Sequence, residues 1–251
     1  METSPLLSLV IPCYNEEQRL PATLAKLAEG LPGLGCATEV VVADDGSTDA
    51  TRQAAEAFKD RIPSLRVLVL PHGGKGSALK GGIEAAQGQY VFLCDADLSM
   101  PLSELPKLMG PAQQGAPVVL GWRRRLGEPA FRRFRGRIFN LLVRALLLPG
   151  VHDTQTGFKL FRKEVALQVY AAQRIRGYAS EVEILYVARR LGYNLAEVRV
   201  DWFYEPGGKV RPVLDVLRML RDLIKIRVWA SRGAYPAQAS KEGPTGVSPS
   251  G

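Results

Sequence analysis

Cysteine and histidine are scarce in this chain: three and two among 251 residues. Cys13, Cys36 and Cys94 fall in no paired or metal-like spacing and read as buried thiols in a reducing compartment. No apolar run reaches the roughly 18 to 20 residues that a spanning helix needs, so no membrane crossing is expected. The opening METSPLLSLVIPCYNEE lacks a basic region followed by an apolar stretch and a small-residue cleavage site, and does not read as a signal peptide. Acid is also in deficit, with 25 Asp and Glu against 33 Lys and Arg. The resulting net charge of +8 points to anionic partners: nucleotide, lipid phosphate, membrane surface or nucleic acid.

What is present is a substantial core. Hydrophobic residues make up 46% of the chain, which argues against wholesale disorder. Short apolar runs at 6–12, 38–44, 65–71, 89–95 and 116–122 alternate with helix-like stretches, and Ser47 or Thr48 is placed to cap the second helix. The runs are almost continuously apolar, as expected when helices cover both faces of a parallel sheet. The pattern predicts a doubly wound α/β fold, whose ligands bind beyond the carboxyl ends of the strands. Two acid pairs lie at such ends, Asp44–Asp45 after the second run and Asp95–Asp97 after the fourth.

The second half is less regular. Residues 121–144 hold eight arginines and one acid, Glu128. Within it RIFNLLVRALLL is apolar except for Arg137, Asn140 and Arg144, a narrow polar stripe at helical spacing. A second basic amphipathic helix is predicted over 211–230. Both suit packing on the domain or lying at an interface. The segment from Ala237, rich in Gly, Ser and Pro, reads as a disordered tail.

Asp95 and Asp97 point to the same side if the strand geometry persists. Two carboxylates there repel, so a positive group is expected beside them. A divalent cation is the simplest candidate, because Mg²⁺ or Mn²⁺ is commonly held by one or two carboxylates plus substrate phosphates. HGGKGSALKGG, residues 72–82, fails both phosphate-loop patterns: position 69 is Val where the P-loop requires Gly, and the dinucleotide fingerprint should follow the first strand instead. Its glycines suit a turn, and Lys75 remains a candidate anion contact.

VIPCYNEE, VVVADDGSTDAT, GKGSALKGG, DADLS and DTQTGFKLFR occur in this order. Together they resemble the family 2 glycosyltransferases with a GT-A fold, and specifically the polyprenyl-phosphate (dolichyl-phosphate) sugar synthases, over roughly residues 6–230. The stretches DTQTGFKLFRKE, EVEILYVARR and GGKVRPVLDVLRMLRDLIKIR are most similar to the dolichyl-phosphate glucosyltransferase branch. The resemblance implies a single GT-A domain over 1–236, with a nucleotide-binding half at about 6–122 and an acceptor half at about 123–236. It implies an inverting, Mg²⁺- or Mn²⁺-dependent transfer of a hexose, UDP-glucose being the favoured donor. Pro12, Tyr14 and Glu16, with Asp44 and Asp45, would hold the nucleoside. Lys75 and Ala96 would join them around the donor, and Asp95 and Asp97 match the family's metal motif. Asp153 and Gln155 would line the sugar and acceptor side, Asp97 and these two being the catalytic set. Arg132, Arg133 and Arg137 would grip the acceptor phosphate, for which arginine's fork of donors is suited, and Lys209 and Arg211 would close over the donor diphosphate. Where the family usually has Asp before its V-E, this chain has Glu181, which leaves that residue's role open.

A phosphate nucleophile is ionised at neutral pH, so positioning and charge stabilisation carry the reaction. His72 and His152 are read as structural. The expected location is the cytoplasmic face of a membrane, peripherally bound, with 121–144 and 211–230 on anionic headgroups, where each basic residue contributes on the order of 1 kcal/mol. GDP-mannose is the alternative donor and a soluble sugar the alternative acceptor. A neutral acceptor hydroxyl would need a carboxylate base, for which Asp153 or Glu181 would serve. A nucleic-acid module is disfavoured, since no such motif occurs and the aromatics do not interleave with the arginines. A non-catalytic relative is disfavoured because each donor and metal motif residue is present.

Overall fold

The computed structural model describes residues 4–204 and 214–237, with the side chains of Arg132, Arg135 and residues 214–216 excepted. Lys209, Arg211 and the tail beyond Ala237 therefore lie outside the described residues. The chain runs β1 (Leu7–Cys13), α1 (Leu20–Gly30), β2 (Thr38–Asp44), α2 (Thr51–Glu56), β3 (Leu65–Val69), α3 (Lys75–Ala85), β4 (Tyr90–Leu93), α4 (Leu105–Gln113), β5 (Val118–Leu126), α5 (Ala130–Leu146), β6 (Lys159–Arg162), α6 (Lys163–Ala171), α7 (Ser180–Arg190), β7 (Leu195–Phe203) and α8 (Leu214–Ser231).

The seven strands of the described residues form one sheet in the order β3-β2-β1-β4-β6-β5-β7. β6 runs antiparallel to both its neighbours, and the other pairings are parallel. Residues alternate between two cores, as the pleat requires. Leu9 and Ile11 of β1 pack with Leu24 of α1 and Leu105 of α4, whereas Val10 packs with Ile83 of α3 and Val182 of α7. Both faces are covered, which is why the strands read as unbroken apolar runs. The strand order reverses between β1 and β4, and the crevice at that switch point is where a doubly wound sheet binds its ligand.

The five strands expected in the first half are present. The fifth extends to Leu126 and so carries Arg123, Arg124 and Arg125 on the sheet itself. Ser47 and Thr48 do not cap α2, whose N-cap is Ala50 with no side-chain bond. They lace two loops together instead: Asn15 N donates to Ser47 Oγ at 2.9 Å and Thr48 N donates to Asn15 Oδ1 at 2.9 Å. Asn15 takes the left-handed conformation (φ 52°), which asparagine tolerates better than most residues, and this turns the chain sharply off the end of β1.

Candidate active site

A cleft of about 680 Å³ opens at the carboxyl ends of β1 and β4. Pro12, Tyr14, Glu16, Asp45, Lys75, Asp95, Ala96, Asp97 and Gln155 line it, so most of the expected donor-side residues converge. Four interactions set their geometry.

The first seats the Asp95–Asp97 segment. Thr23, buried on α1, donates through Oγ1 to the Ala96 carbonyl oxygen at 2.6 Å. Leu98 is held at φ 45°, an uncommon conformation for a bulky residue, so the chain turns immediately after Asp97. Gly157 approaches from the loop before β6, and a Cβ there would meet Asp95 Oδ2 at 1.9 Å. Asp97 accepts from Ser99 N at 3.0 Å and has no ion pair among the described residues.

The second answers what stands beside the two acids. Lys75 Nζ donates to Asp95 Oδ1 at 2.6 Å and to Glu181 Oε1. Glu181 Oε2 in turn accepts from Lys159 Nζ at 2.6 Å, and Lys159 also donates to the Thr156 carbonyl. Burial would lower the Lys75 ammonium, but Asp95 and Glu181 together raise it above its ordinary value. Burial would raise the Glu181 carboxyl, yet Lys159 and Lys75 hold it down at about 2. Lys159, buried with one carboxylate partner, is lowered by desolvation.

The third concerns the glycine-rich loop. Gly73 N donates to Asp45 Oδ1 and Gly74 N to Asp45 Oδ2, both at 2.8 Å. His72 Nδ1 lies 2.9 Å from the same carboxylate, and its ring stacks on Tyr14 at 4.3 Å between centroids. The loop thus cradles a protein carboxylate. His72, read as structural from the sequence, stands in the cleft wall. Asp44 turns away: it is buried and accepts from Ser47 N at 3.0 Å, so it organises the loop and does not line the cleft.

The fourth builds the arginine side. Arg123 donates through Nε and Nη2 to both oxygens of Asp153 at 2.7 and 2.8 Å, with its guanidinium 5.6 Å from the Trp202 ring. Burial would raise the Asp153 carboxyl, but Arg123 holds it below its ordinary value. Asp153 itself is buried and outside the cleft lining; it positions Arg123, which lines the cleft. Arg125 also lines it, 3.3 Å from Glu128 and close against α5, where a Cβ on Gly136 would meet Arg125 Nη1 at 2.8 Å. Of the arginines expected to grip the acceptor, Arg133 donates to the Glu128 carbonyl oxygen at 3.2 Å and Arg137 is exposed on α5; neither lines the cleft. Arg132 is on α5, and its side chain lies outside the described residues. Arg19, Arg123, Arg125, Tyr178 and Trp202 are cleft residues that the motif reading passed over, and Glu181, whose role the sequence left open, lines the cleft as well. Arg123 and Arg125 carried a signal, since they continue an apolar strand.

The donors fit a divalent cation. Asp95 and Asp97 offer hard oxygens at one rim, and no group of three or more metal-binding His, Cys, Asp or Glu side chains occurs among the described residues. Such a pair suits Mg²⁺ or Mn²⁺ completed by phosphate oxygens and water.

Residues 8–169 match the profile of the family described as glycosyl transferase family 2. The chain is 33% identical over 240 residues to a dolichyl-phosphate β-glucosyltransferase of Dictyostelium discoideum, covering 88% of this chain and 73% of that protein. It is 32% identical to the Mus musculus enzyme of the same name, covering 94% and 79%. Among solved structures, glucosyl-3-phosphoglycerate synthase of Mycobacterium tuberculosis in complex with phosphoglyceric acid superposes with a TM-score of 0.68 at 25% identity, over 91% of this chain and 80% of that one. The same enzyme with Mn²⁺, UDP and glucosyl-3-phosphoglycerate superposes with a TM-score of 0.66 at 24% identity, over 91% and 80%. These agreements, with the GT-A sheet and the convergence of the donor motifs on one cleft, establish that the chain is a glycosyltransferase belonging to glycosyl transferase family 2.

Proposed function

We propose that this enzyme transfers glucose from UDP-glucose to a polyprenyl (dolichyl) phosphate with Mg²⁺ or Mn²⁺. The observation that carries the acceptor assignment is the charge arrangement of the cleft. Arg123 and Arg125 stand in it, while Asp153 and Glu181, the two carboxylates that the sequence offered as a base for a neutral hydroxyl, are spent on Arg123, Lys75 and Lys159. A carboxyl held at about 2 is a poor general base near neutrality. An acceptor that arrives ionised needs no base, only a cationic seat.

In this reading Tyr14 and His72 wall the nucleoside end, and Asp95 and Asp97 would hold a divalent cation at the donor diphosphate. The cation, when bound, offsets the charge that grows on the leaving group. Arg123, aimed by Asp153, and Arg125, aimed by Glu128, place an acceptor phosphate oxygen in line with the anomeric carbon, and the sugar's configuration inverts. Residues 1–236 then act as one catalytic unit, since strands of both halves share the sheet that carries the cleft.

The lipid assignment is supported by α5. Gly136 and Phe139 face the cleft, whereas Phe131, Phe134, Ile138, Leu141 and Leu142 form an exposed apolar stripe on the same helix. α8 contributes Met219 to the cleft and exposes Leu217, Ile224 and Val228. An apolar stripe beside arginines suits an anionic bilayer surface, and no helix among the described residues is long and apolar enough to cross a membrane.

The test is radiolabel transfer from UDP-glucose, and separately GDP-mannose, to a polyprenyl phosphate with metal or EDTA. Metal-dependent label in the organic phase from UDP-glucose is expected. Label only on a soluble phosphorylated acceptor such as phosphoglyceric acid would overturn the lipid assignment and keep the cationic seat.

A further inference from the structure

Lys75 occupies an unusual place for a lysine, since its ammonium sits on one of the two carboxylates that fit a metal. It bridges two acids that compete for it, Asp95 at the cleft and Glu181 behind it. The two differ in setting. The Asp95 side chain is 41% exposed and open to a ligand entering the cleft. Glu181 sits in the first turn of α7 with its second oxygen tied to Lys159, which is 1% exposed on β6. Charges therefore alternate along a line from Asp95 through Lys75 and Glu181 to Lys159, fixed at the buried end and free at the cleft end.

We propose that Lys75 is a resident counter-ion that a divalent cation displaces from Asp95, and that Glu181, anchored by Lys159, is the mooring that keeps the displaced ammonium at the donor site. The inference rests on the metal-dependent donor reading above. Before the donor arrives, Lys75 relieves the repulsion between Asp95 and Asp97. When a cation takes the Asp95 oxygen, the ammonium stays on Glu181, within the cleft wall, and turns a freed N–H towards the diphosphate. One positive charge is thereby passed from carboxylate to phosphate. Lys159 acts as a positioning residue: it touches neither Asp95 nor the cleft, and its part is to hold Glu181 in place.

Competition of two cations for one carboxylate makes a sign-specific prediction. Mn²⁺ alone, without nucleotide, is titrated into wild-type protein, K75M and K159M, and free Mn²⁺ is followed by electron paramagnetic resonance. K75M should bind Mn²⁺ at least fivefold more tightly than wild type, the low end of ordinary coupling between sites. K159M, which removes an equal charge from the same cluster without touching Asp95, should change affinity less than twofold. Equal tightening in both variants would mean that only the general field changed and would overturn the exchange. Unchanged or weaker Mn²⁺ binding in K75M would overturn it too, while leaving the metal site intact. No Mn²⁺ binding by any protein, with or without UDP, would remove the metal reading together with the inference. Wild-type protein crystallised with Mn²⁺ and UDP decides the matter without any variant. Lys75 beyond bonding distance of Asp95 and still on Glu181 supports the exchange; Lys75 still bonded to Asp95 refutes it.

Discussion

Replacing Gly157 by Ala adds one methyl group in a place that isolates the seat of Asp95. Gly157 is outside the left-handed region, so alanine meets no backbone obstacle there and the substitution tests space alone. The new Cβ would stand 1.9 Å from Asp95 Oδ2, 2.5 Å from Cγ and 2.9 Å from Oδ1, where ordinary contact begins at 3.4 Å. The carboxylate must therefore retreat by about 1.5 Å. Its other oxygen is tied to Lys75 at 2.6 Å, so retreat breaks that bond or drags the lysine along. A misplacement of about 1 Å near the reacting atoms costs on the order of 100-fold in rate, and kcat is expected to fall to about 1% of wild type. Stability should suffer far less. The side chain can swing into the open cleft, so the loss stays within the roughly 1–3 kcal/mol typical of an added core methylene. The assay pairs initial rates of labelled glucose transfer into the organic phase with thermal melts of the same preparations. A G157A enzyme with kcat within threefold of wild type would refute the claim that this seat matters to catalysis.

Asp153→Asn should destabilise the protein by about 3–5 kcal/mol, because it breaks a buried bidentate pair. It should also raise KM for the lipid phosphate at least tenfold while leaving KM for UDP-glucose unchanged; a donor-side effect would contradict the assigned role of Arg123. Phe131 and Phe134 are 72% and 60% exposed, so F131E/F134E should leave the thermal midpoint unchanged and cut flotation with anionic vesicles at least tenfold. Undiminished flotation would remove α5 as the membrane face. The Glu181 carboxyl lies at about 2 in the folded chain against an ordinary 4.5. A depressed carboxyl stabilises fully above its unfolded value and loses that contribution as pH falls through the folded one. About 2 kcal/mol should be gone by pH 3, visible as a falling urea midpoint below pH 4.5. E181Q should show a flatter acid limb, and a parallel decline would discount the network.

The sheet was legible because its first five strands are short apolar runs spaced by helices, and burial on both faces leaves that mark in any parallel sheet. The second half was not. β6 is four residues long, KLFR, with charges at both ends, and nothing local shows that it enters between β4 and β5 or that Lys159 is buried. β7 alternates Val198, Val200 and Trp202 with Glu197, Arg199 and Asp201, a period-two signal that the surrounding arginines obscured.

The site divides in the same way. From the chain alone it follows that acids stand at the carboxyl ends of β2 and β4 and that the ligand crevice lies there, because strand order and strand ends follow from local pattern. Which acids reach the cleft was decided only in three dimensions. Asp44 and Asp45 are adjacent in sequence, yet Asp44 serves Ser47 while Asp45 forms part of the cleft. The positive group beside Asp95 comes from α3, its second partner Glu181 lies 106 residues further on, and the cleft also takes Arg123 and Arg125 from a strand. Pairing of buried charges depends on which elements approach through the core, and that approach is set by long-range packing that no stretch of neighbouring residues contains.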